Sequence, residues 1–416
     1  MLTPRGLLSC LPRGIIIRTE VRGTGVTQKP VKTRERTKGK KMKSNEIYKI
    51  FGTDYTAMTR EILERAELAE LIGDKDKKIG IKPNLVSPTP PMMGATTHPE
   101  VVAGIIEYLQ AHGFNNITMM ESCYCGGDTM ECFEVCGYDR LVEKYGVPFV
   151  DAQKSTYTHI ETAGLKLKIA DCAKNVDFMI GVPVMKGHCQ TRITCAIKNM
   201  KGMVPADEKR RFHTLGLHEP IGRLLTVVRQ DFVVVDHICG DLDFEEGGNP
   251  VTCNCVMTGI DPVLIDSYVC KLLRYDVSEV PYIGIAESLG CGSTDLDNAR
   301  IIRLGRNGEP DIPAPDENLK LTRKTVDLRD ALEEVDSCSA CYGTLVPVLE
   351  RLKEEGLLEE LLAKIPDHVI HIGQGYQGKT GYVGVGNCTA LFEHSAQGCP
   401  PSEEDMYEML ISYINQ

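Results

Sequence analysis

The chain has 416 residues, enough for two domains or for one large α/β domain with an appendage, and its 42% hydrophobic and 25% charged residues are ordinary for a globular protein. No apolar run approaches the ~20 residues that span a bilayer, so the sequence predicts neither a transmembrane segment nor a membrane partner. The net charge is −11, yet residues 1–41 hold eleven Lys or Arg against two Glu, a local +9 that leaves the rest near −20. An acidic body repels phosphate backbones, which argues against nucleic acid as a partner.

Residues 1–41 lack apolar periodicity and end in the basic run KTRERTKGKK (Lys32–Lys41). Such a run suits a basic arm, a targeting peptide or a disordered tail. Lys38-Gly39-Lys40-Lys41 also corresponds to purine-rich codons directly before Met42, as a ribosome-binding stretch would. The expectation is therefore a disordered extension or a mis-called start over 1–41, an α/β domain over 42–305 and a C-terminal metal segment over 306–416.

The body alternates helices and strands. Met58–Ile72 reads as an amphipathic helix and Lys78–Leu85 (KIGIKPNL) as a buried strand. Pro99 opens a second helix that runs through His112 and stops at Gly113. Asn116–Met120, Val176–Val184 and Asp231–Asp236 read as strands, and Asp261 caps a helix over Asp261–Leu273. Alternation of this kind predicts an α/β fold, a mainly parallel sheet with helices on both faces, and places ligands at the carboxyl ends of the strands. The chain is loop-like over Gly305–Asp327. Beyond it lie a helix (Gly343–Lys364), a strand (His368–Ile372), a Gly-rich run and a last helix (Ser402–Ile414). These make a cysteine-bearing α+β segment.

Polar residues collect where strands end: Lys82, Asn84 and His98, Glu121, Lys186 and His188, Lys198 and Lys201, and Asp236, His237 and Asp241. Taken singly, each is more often a solvated loop charge. As a set they suggest a pocket for a small anionic ligand, with Lys as the point charge and His for proton transfer. Lys186, His188 and Lys198 are the candidate catalytic residues, and Lys82, Asn84 and Glu121 the candidate ligand or cofactor contacts.

Seventeen cysteines cannot all pair within the chain, and Leu7–Leu11 is too short for a secretory core. A reducing, cytoplasmic setting with metal-bound, buried or reactive thiols is expected. Cys338-Ser339-Ala340-Cys341 forms a C-x-x-C, and Cys388 and Cys399 follow on Gly-flanked loops, the latter before Pro400. These four are the candidate metal ligands, for a 4Fe–4S cluster first and for zinc as the alternative, buried thiols being the plainer reading. Sulfurs about 3.5–4 Å apart would suit one zinc ion, and wider spacing a cluster. Cys123, Cys125, Cys132 and Cys136 are read as buried thiols rather than a second site, and Cys253 and Cys255 as packing.

Gly373–Thr380 (GQGYQGKT) matches a phosphate-loop pattern. Such a loop needs a helix directly after it. Here the chain continues GYVGVGNC, so nucleotide binding is rejected and the glycines are read as tight turns beside the cysteines.

The segments IKPNL (Ile81–Leu85), THPE (Thr97–Glu100), VPVMKGH (Val182–His188), CAIKNMKG (Cys195–Gly202) and DPVLID (Asp261–Asp266) together resemble the domain of unknown function 362 family, over about residues 78–290. The resemblance implies an α/β fold and frequent association with 4Fe–4S cysteines, and no established reaction. Members similar to ferredoxin-fused proteins carry compact cysteine runs, whereas this chain spreads its candidates over Cys338–Cys399. The functional expectation is an iron–sulfur protein, an oxidoreductase or electron-transfer protein acting on or near a small anionic ligand, with a redox protein as partner. The alternatives are a non-redox binding protein or enzyme with structural zinc, and a metal-handling maturation accessory.

Overall fold

Buried strands in this chain alternate their side chains between two helical layers. In the strand Phe232–Asp241, Val233 and Val235 join one core while Phe232 and Val234 join the other. In a computed structural model, the described residues are 41–305, 319, 321 and 328–416. The expectations for residues 1–40, and most of the loop expected over Gly305–Asp327, lie outside them.

In chain order the strands of the body are β1 (Glu46–Phe51), β2 (Ile79–Pro83), β3 (Ile117–Glu121), β4 (Phe149–Asp151), a hairpin β5–β6 (Tyr157–Thr162, Leu165–Ala170), β7 (Phe178–Val182), a short pair β8–β9 (Lys186–His188, Arg192–Thr194), β10 (Phe232–Asp241), β11 (Pro250–Gly259) and β12 (Arg300–Leu304). Eight of them form one sheet in the order β12-β1-β11-β10-β7-β2-β3-β4. Its neighbours run parallel except where β11 meets β1 and β10. The long antiparallel β10–β11 pair was not legible as a pair in the sequence. One core packs the helices Tyr55–Ala66 and Pro99–Ala111 on one face, and a second packs Pro262–Leu272 and Pro281–Ser288 on the other. The fold is α/β with a mainly parallel sheet.

Helix boundaries follow local chemistry. Pro99 takes the first turn of its helix, where its missing N–H is no loss. The Asp261 carboxylate accepts the N–H groups of Val263 (2.9 Å) and Leu264 (3.0 Å). Two expected helices are each broken in two. Glu67 turns left-handed (φ 53°) between Tyr55–Ala66 and Leu68–Ile72, which keeps Leu68 and Ile72 buried. Gly356 ends Ser339–Glu354: its N–H reaches Lys353 O (3.1 Å) and that of Leu357 reaches Leu352 O (2.8 Å), a Schellman ending before Leu358–Lys364.

The C-terminal segment has its own all-parallel sheet, β13 (Leu332–Glu334), β14 (Ile370–Ile372), β15 (Val383–Val385) and β16 (His394–Ala396), and the helix Glu403–Ile414. Its core takes in Cys189 and Phe244 from the body. That shared core, with Arg329 donating to Cys189 O (3.2 Å), seats the segment over the carboxyl edge of the large sheet.

Candidate functional site

A cleft of about 490 Å³ opens between the sheet edge and the C-terminal segment. Lys82 and Glu121 reach it from the ends of β2 and β3, and Lys198 and Lys201 from the turn after β9. Lys209 and His213 approach from the helix Ala206–Thr214, and Cys338, Cys388 and Cys399 from the opposite segment. The motifs that the sequence keeps apart lock together here. Thr97 Oγ1 donates to Val182 O (2.7 Å) and accepts the N–H of Asn84 (2.8 Å). The buried Asp266 carboxylate caps the short helix Ala196–Asn199 by accepting the N–H groups of Ala196 (2.7 Å) and Ile197 (3.1 Å). This fixes the direction in which Lys198 and Asn199 leave the backbone.

The lysines differ in what remains of their hydrogen-bonding capacity. Lys82 donates to Glu121, to Asn199 Oδ1 (2.8 Å) and to Pro83 O (2.9 Å), which uses its three N–H groups. Lys209 likewise donates to Ser122 O (3.0 Å), Ser122 Oγ (2.7 Å) and Cys123 O. Both pin the wall of the cleft and contribute charge rather than open donors. Burial lowers the Lys82 pKa to about 8 although the Glu121 carboxylate opposes this. Gly202 packs against that pair so closely that a Cβ would collide with Glu121 Oε1. Asn84 lines the cleft beside them, and its Oδ1 accepts the N–H of Val86 (3.2 Å).

Glu245, which the sequence reading did not single out, organises the candidate catalytic residues. Lys198 pairs with its Oε1, His188 Nε2 lies 2.9 Å from its Oε2, and Lys186 donates to its backbone O (2.8 Å). Burial would raise the Glu245 pKa, but Lys198 and His188 overcome it and hold the carboxyl well below its usual range. His188 Nδ1 accepts the N–H of Gln190 (2.9 Å), so in the neutral ring Nε2 carries the proton toward Glu245. Burial, then the Lys198 charge, lowers the His188 pKa to about 4 and keeps the ring neutral. Lys186 and His188 are fully buried behind the cleft wall, while Lys198 reaches the cleft itself.

The other strand-end residues are structural. His98 Nδ1 pairs with Asp236 (2.9 Å) away from the cleft lining. Asp241 accepts the N–H groups of Asp243, Phe244 and Asn249 (2.9, 2.9 and 2.8 Å). The Glu245 signal was available, because DLDFEEGG follows a strand just as the noted Asp241 does. Lys209 and His213 offered only an i, i+4 pair on a polar helix, and Thr194 no signal at all.

Of the four candidate metal ligands, Cys338, Cys388 and Cys399 line the cleft. Cys341 lies in electrostatic reach of all three, and its pKa is raised through its hydrogen bond with Cys338 and by burial. That same hydrogen bond lowers Cys338 to about 6, against the effect of burial and with help from the backbone amides of Cys341 and Ala340 at the start of the helix. Gly386 adopts φ 90°, and a Cβ there would stand 3.1 Å from Cys341 Sγ. Among the described residues no three His, Cys, Asp or Glu side chains are gathered tightly enough for a single metal ion. Cys338 and Cys341 come from the start of the helix Ser339–Glu354, and Cys388 and Cys399 follow the positive-φ glycines Gly386 (φ 90°) and Gly398 (φ 153°).

Gln374 and Gln377 of the GQGYQGKT loop also line the cleft, and Gln377 Nε2 approaches Cys388 Sγ (3.5 Å). The loop leads through a short 3-10 turn (Gln374–Tyr376) into β15, with no helix after it. Cys123, Cys132 and Cys136 are buried as expected, whereas Cys125 is only half-buried and lines the cleft beside Cys123; Cys253 and Cys255 pack in the core from β11.

No helix among the described residues is long and apolar enough to cross a membrane. The chain is 25% identical over 228 residues to the Thylakoid-associated protein sll1697 of Synechocystis, covering 52% of this chain and 69% of that one. Two solved structures are distantly similar, each with a TM-score of 0.37. They are the lactate racemase apoprotein of Thermoanaerobacterium thermosaccharolyticum (16% identity, 56% of this chain) and a protein from Thermotoga maritima (13%, 53% of this chain). The chain spans 57% and 60% of their lengths. Residues 79–271 match the family model described as Domain of unknown function (DUF362).

Proposed function

We propose that the protein holds a 4Fe–4S cluster on Cys338, Cys341, Cys388 and Cys399 and serves a redox reaction of a small anionic ligand bound in the adjoining cleft. One observation carries this reading: three of the four thiols line the same cleft as Lys82, Lys198, Lys201 and Lys209. Glu121 and Glu245 answer Lys82 and Lys198, whereas Lys201 and Lys209 have no paired carboxylate among the described residues, which favours an anionic occupant. When bound, a cluster supplies one-electron transfer. The chain's own residues bind and orient. Lys198 and Lys201 attract the anion, Glu245 holds Lys198 in place, and Asp266 fixes the turn that carries both.

A redox protein is the partner this reading requires, and a reducing, cytoplasmic setting suits its many thiols. The test is iron, sulfide and zinc analysis with an absorption spectrum, on full-length protein purified without air. Iron and sulfide in equal amounts, with broad visible absorption that Cys341→Ser removes, supports the reading. Stoichiometric zinc in a colourless protein would replace the cluster with the structural alternative.

A further inference from the structure

One end of the cleft is under-satisfied. Thr194 Oγ1 is buried in the lining with no hydrogen-bond partner among the described residues, and so is His213 Nδ1. Lys201 Nζ meets His213 Nε2 at 3.2 Å and, among the described residues, no carboxylate. Two of its three N–H groups therefore remain available. Lys198 keeps donors beyond its bond to Glu245. A buried hydroxyl without a partner and a half-buried cation without a counterion each cost free energy, and a fold retains them where a ligand completes them.

Charge decides the ligand class. Glu121 answers Lys82, and Glu245 answers Lys198. Lys201, Lys209 and Arg210 line the cleft with no carboxylate paired to them among the described residues. Against them stands Glu246, whose pKa burial and then Glu245 raise to about 7, so that it is only partly charged near neutrality. The lining keeps a net positive charge. The donors are lysine ammonium groups, a hydroxyl and an imidazole, which come from four different elements: β9, the short helix Ala196–Asn199, the 3-10 turn Met200–Met203 and the helix Ala206–Thr214. Point donors from several directions suit a tetrahedral dianion better than a planar carboxylate, whose natural partner is a guanidinium fork.

We propose that Thr194, Lys198, Lys201 and His213 form a subsite for a phosphoryl group, so that the ligand of the cleft is a small phosphorylated molecule. This rests on the reading that the cleft takes a small anion, and it names that anion's chemistry. The rest of the 490 Å³, bordered by the cysteine loops, takes the body of the molecule.

The test uses full-length protein, purified without air and dialysed free of phosphate, with orthophosphate as probe and acetate as the singly charged planar control. Saturable orthophosphate binding, at least about tenfold tighter than acetate, is expected. Lys201→Met and Thr194→Val should each weaken phosphate binding, the first by about tenfold or more, while Arg229→Ala, on an exposed residue away from the cleft, leaves it unchanged. Circular dichroism of each variant confirms that it folds. No saturable phosphate binding, equal binding of acetate, or full binding by both folded cleft variants overturns the subsite. Iron measured on the same samples separates the two claims: iron without phosphate binding defeats the subsite alone, and phosphate binding without iron defeats the cluster alone.

Discussion

Replacing Lys201 by Met removes a charge that the fold holds at a cost. Burial, and next the charge of Lys198, lower the Lys201 pKa from 10.5 to about 8. At about 1.4 kcal/mol per pKa unit, holding the side chain protonated at pH 7 costs about 3 kcal/mol at most. Lys201 keeps some contact with solvent in the cleft, so screening reduces this to about 1–2 kcal/mol. Loss of the bond to His213 takes back about 0.5–1 kcal/mol. The expected net effect at pH 7 is therefore a stabilisation of about 1 kcal/mol. The sign with pH follows from linkage. Between about pH 8 and 10.5 the unfolded chain keeps a proton on Lys201 that the folded chain has released, so the wild type gains stability relative to the variant across that window. The advantage of Lys201→Met should fade by pH 10.5. Denaturant unfolding of both proteins at pH 7 and near pH 10, in phosphate-free buffer, measures the difference directly. A variant less stable than wild type at pH 7, or an advantage that does not change with pH, would refute the reasoning that Lys201 is an unneutralised cation.

Glu245→Gln leaves Lys198 buried without its counterion and should destabilise the protein by about 3–5 kcal/mol in denaturant unfolding; a loss below about 1 kcal/mol would show that Lys198 reaches water. Asp266→Ala uncaps the helix Ala196–Asn199 and should cost about 1–2 kcal/mol while weakening phosphate binding, because Lys198 loses its fixed origin. Unaltered binding would remove Asp266 from the account. Lys379→Ala should leave nucleotide affinity negligible, as in the wild type; ATP binding that depends on Lys379 by calorimetry would reinstate the phosphate loop.

The sheet was legible because each buried strand is a short apolar run ending in polar residues, as in Ile79–Pro83 followed by Asn84. Proline and aspartate marked helix starts correctly at Pro99 and Asp261. Helix breaks were harder to see. Glu67 has no intrinsic preference for a left-handed turn, and only tertiary packing of Leu68 and Ile72 selects it. Gly356 did offer a local signal, which a continuous apolar pattern on either side concealed. In the site, the strand-end rule reached Lys82 and Glu121, which end the neighbouring parallel strands β2 and β3, and Lys198 and Lys201, which follow β9 of the separate antiparallel pair. It could not tell an exhausted donor such as Lys82 from an open one such as Lys201, since that depends on partners more than 30 residues away along the chain, such as Glu121 and Asn199. Lys186 and His188 satisfied the same rule and stand behind the wall, because the β8–β9 pair folds under the loop that carries Glu245. Helix-borne Lys209 and His213 escaped a rule that examines only strand ends.

The central claim is that four cysteines from the C-terminal segment hold iron beside a cationic cleft. The most direct test compares iron and acid-labile sulfide per chain in the anaerobically purified wild type and in a variant with Cys338, Cys341, Cys388 and Cys399 all replaced by Ser. The account predicts iron and sulfide in equal amounts, consistent with one 4Fe–4S cluster, in the wild type, and neither in a variant that still folds by circular dichroism. Full iron content in the quadruple variant, or a wild type without iron, would contradict it.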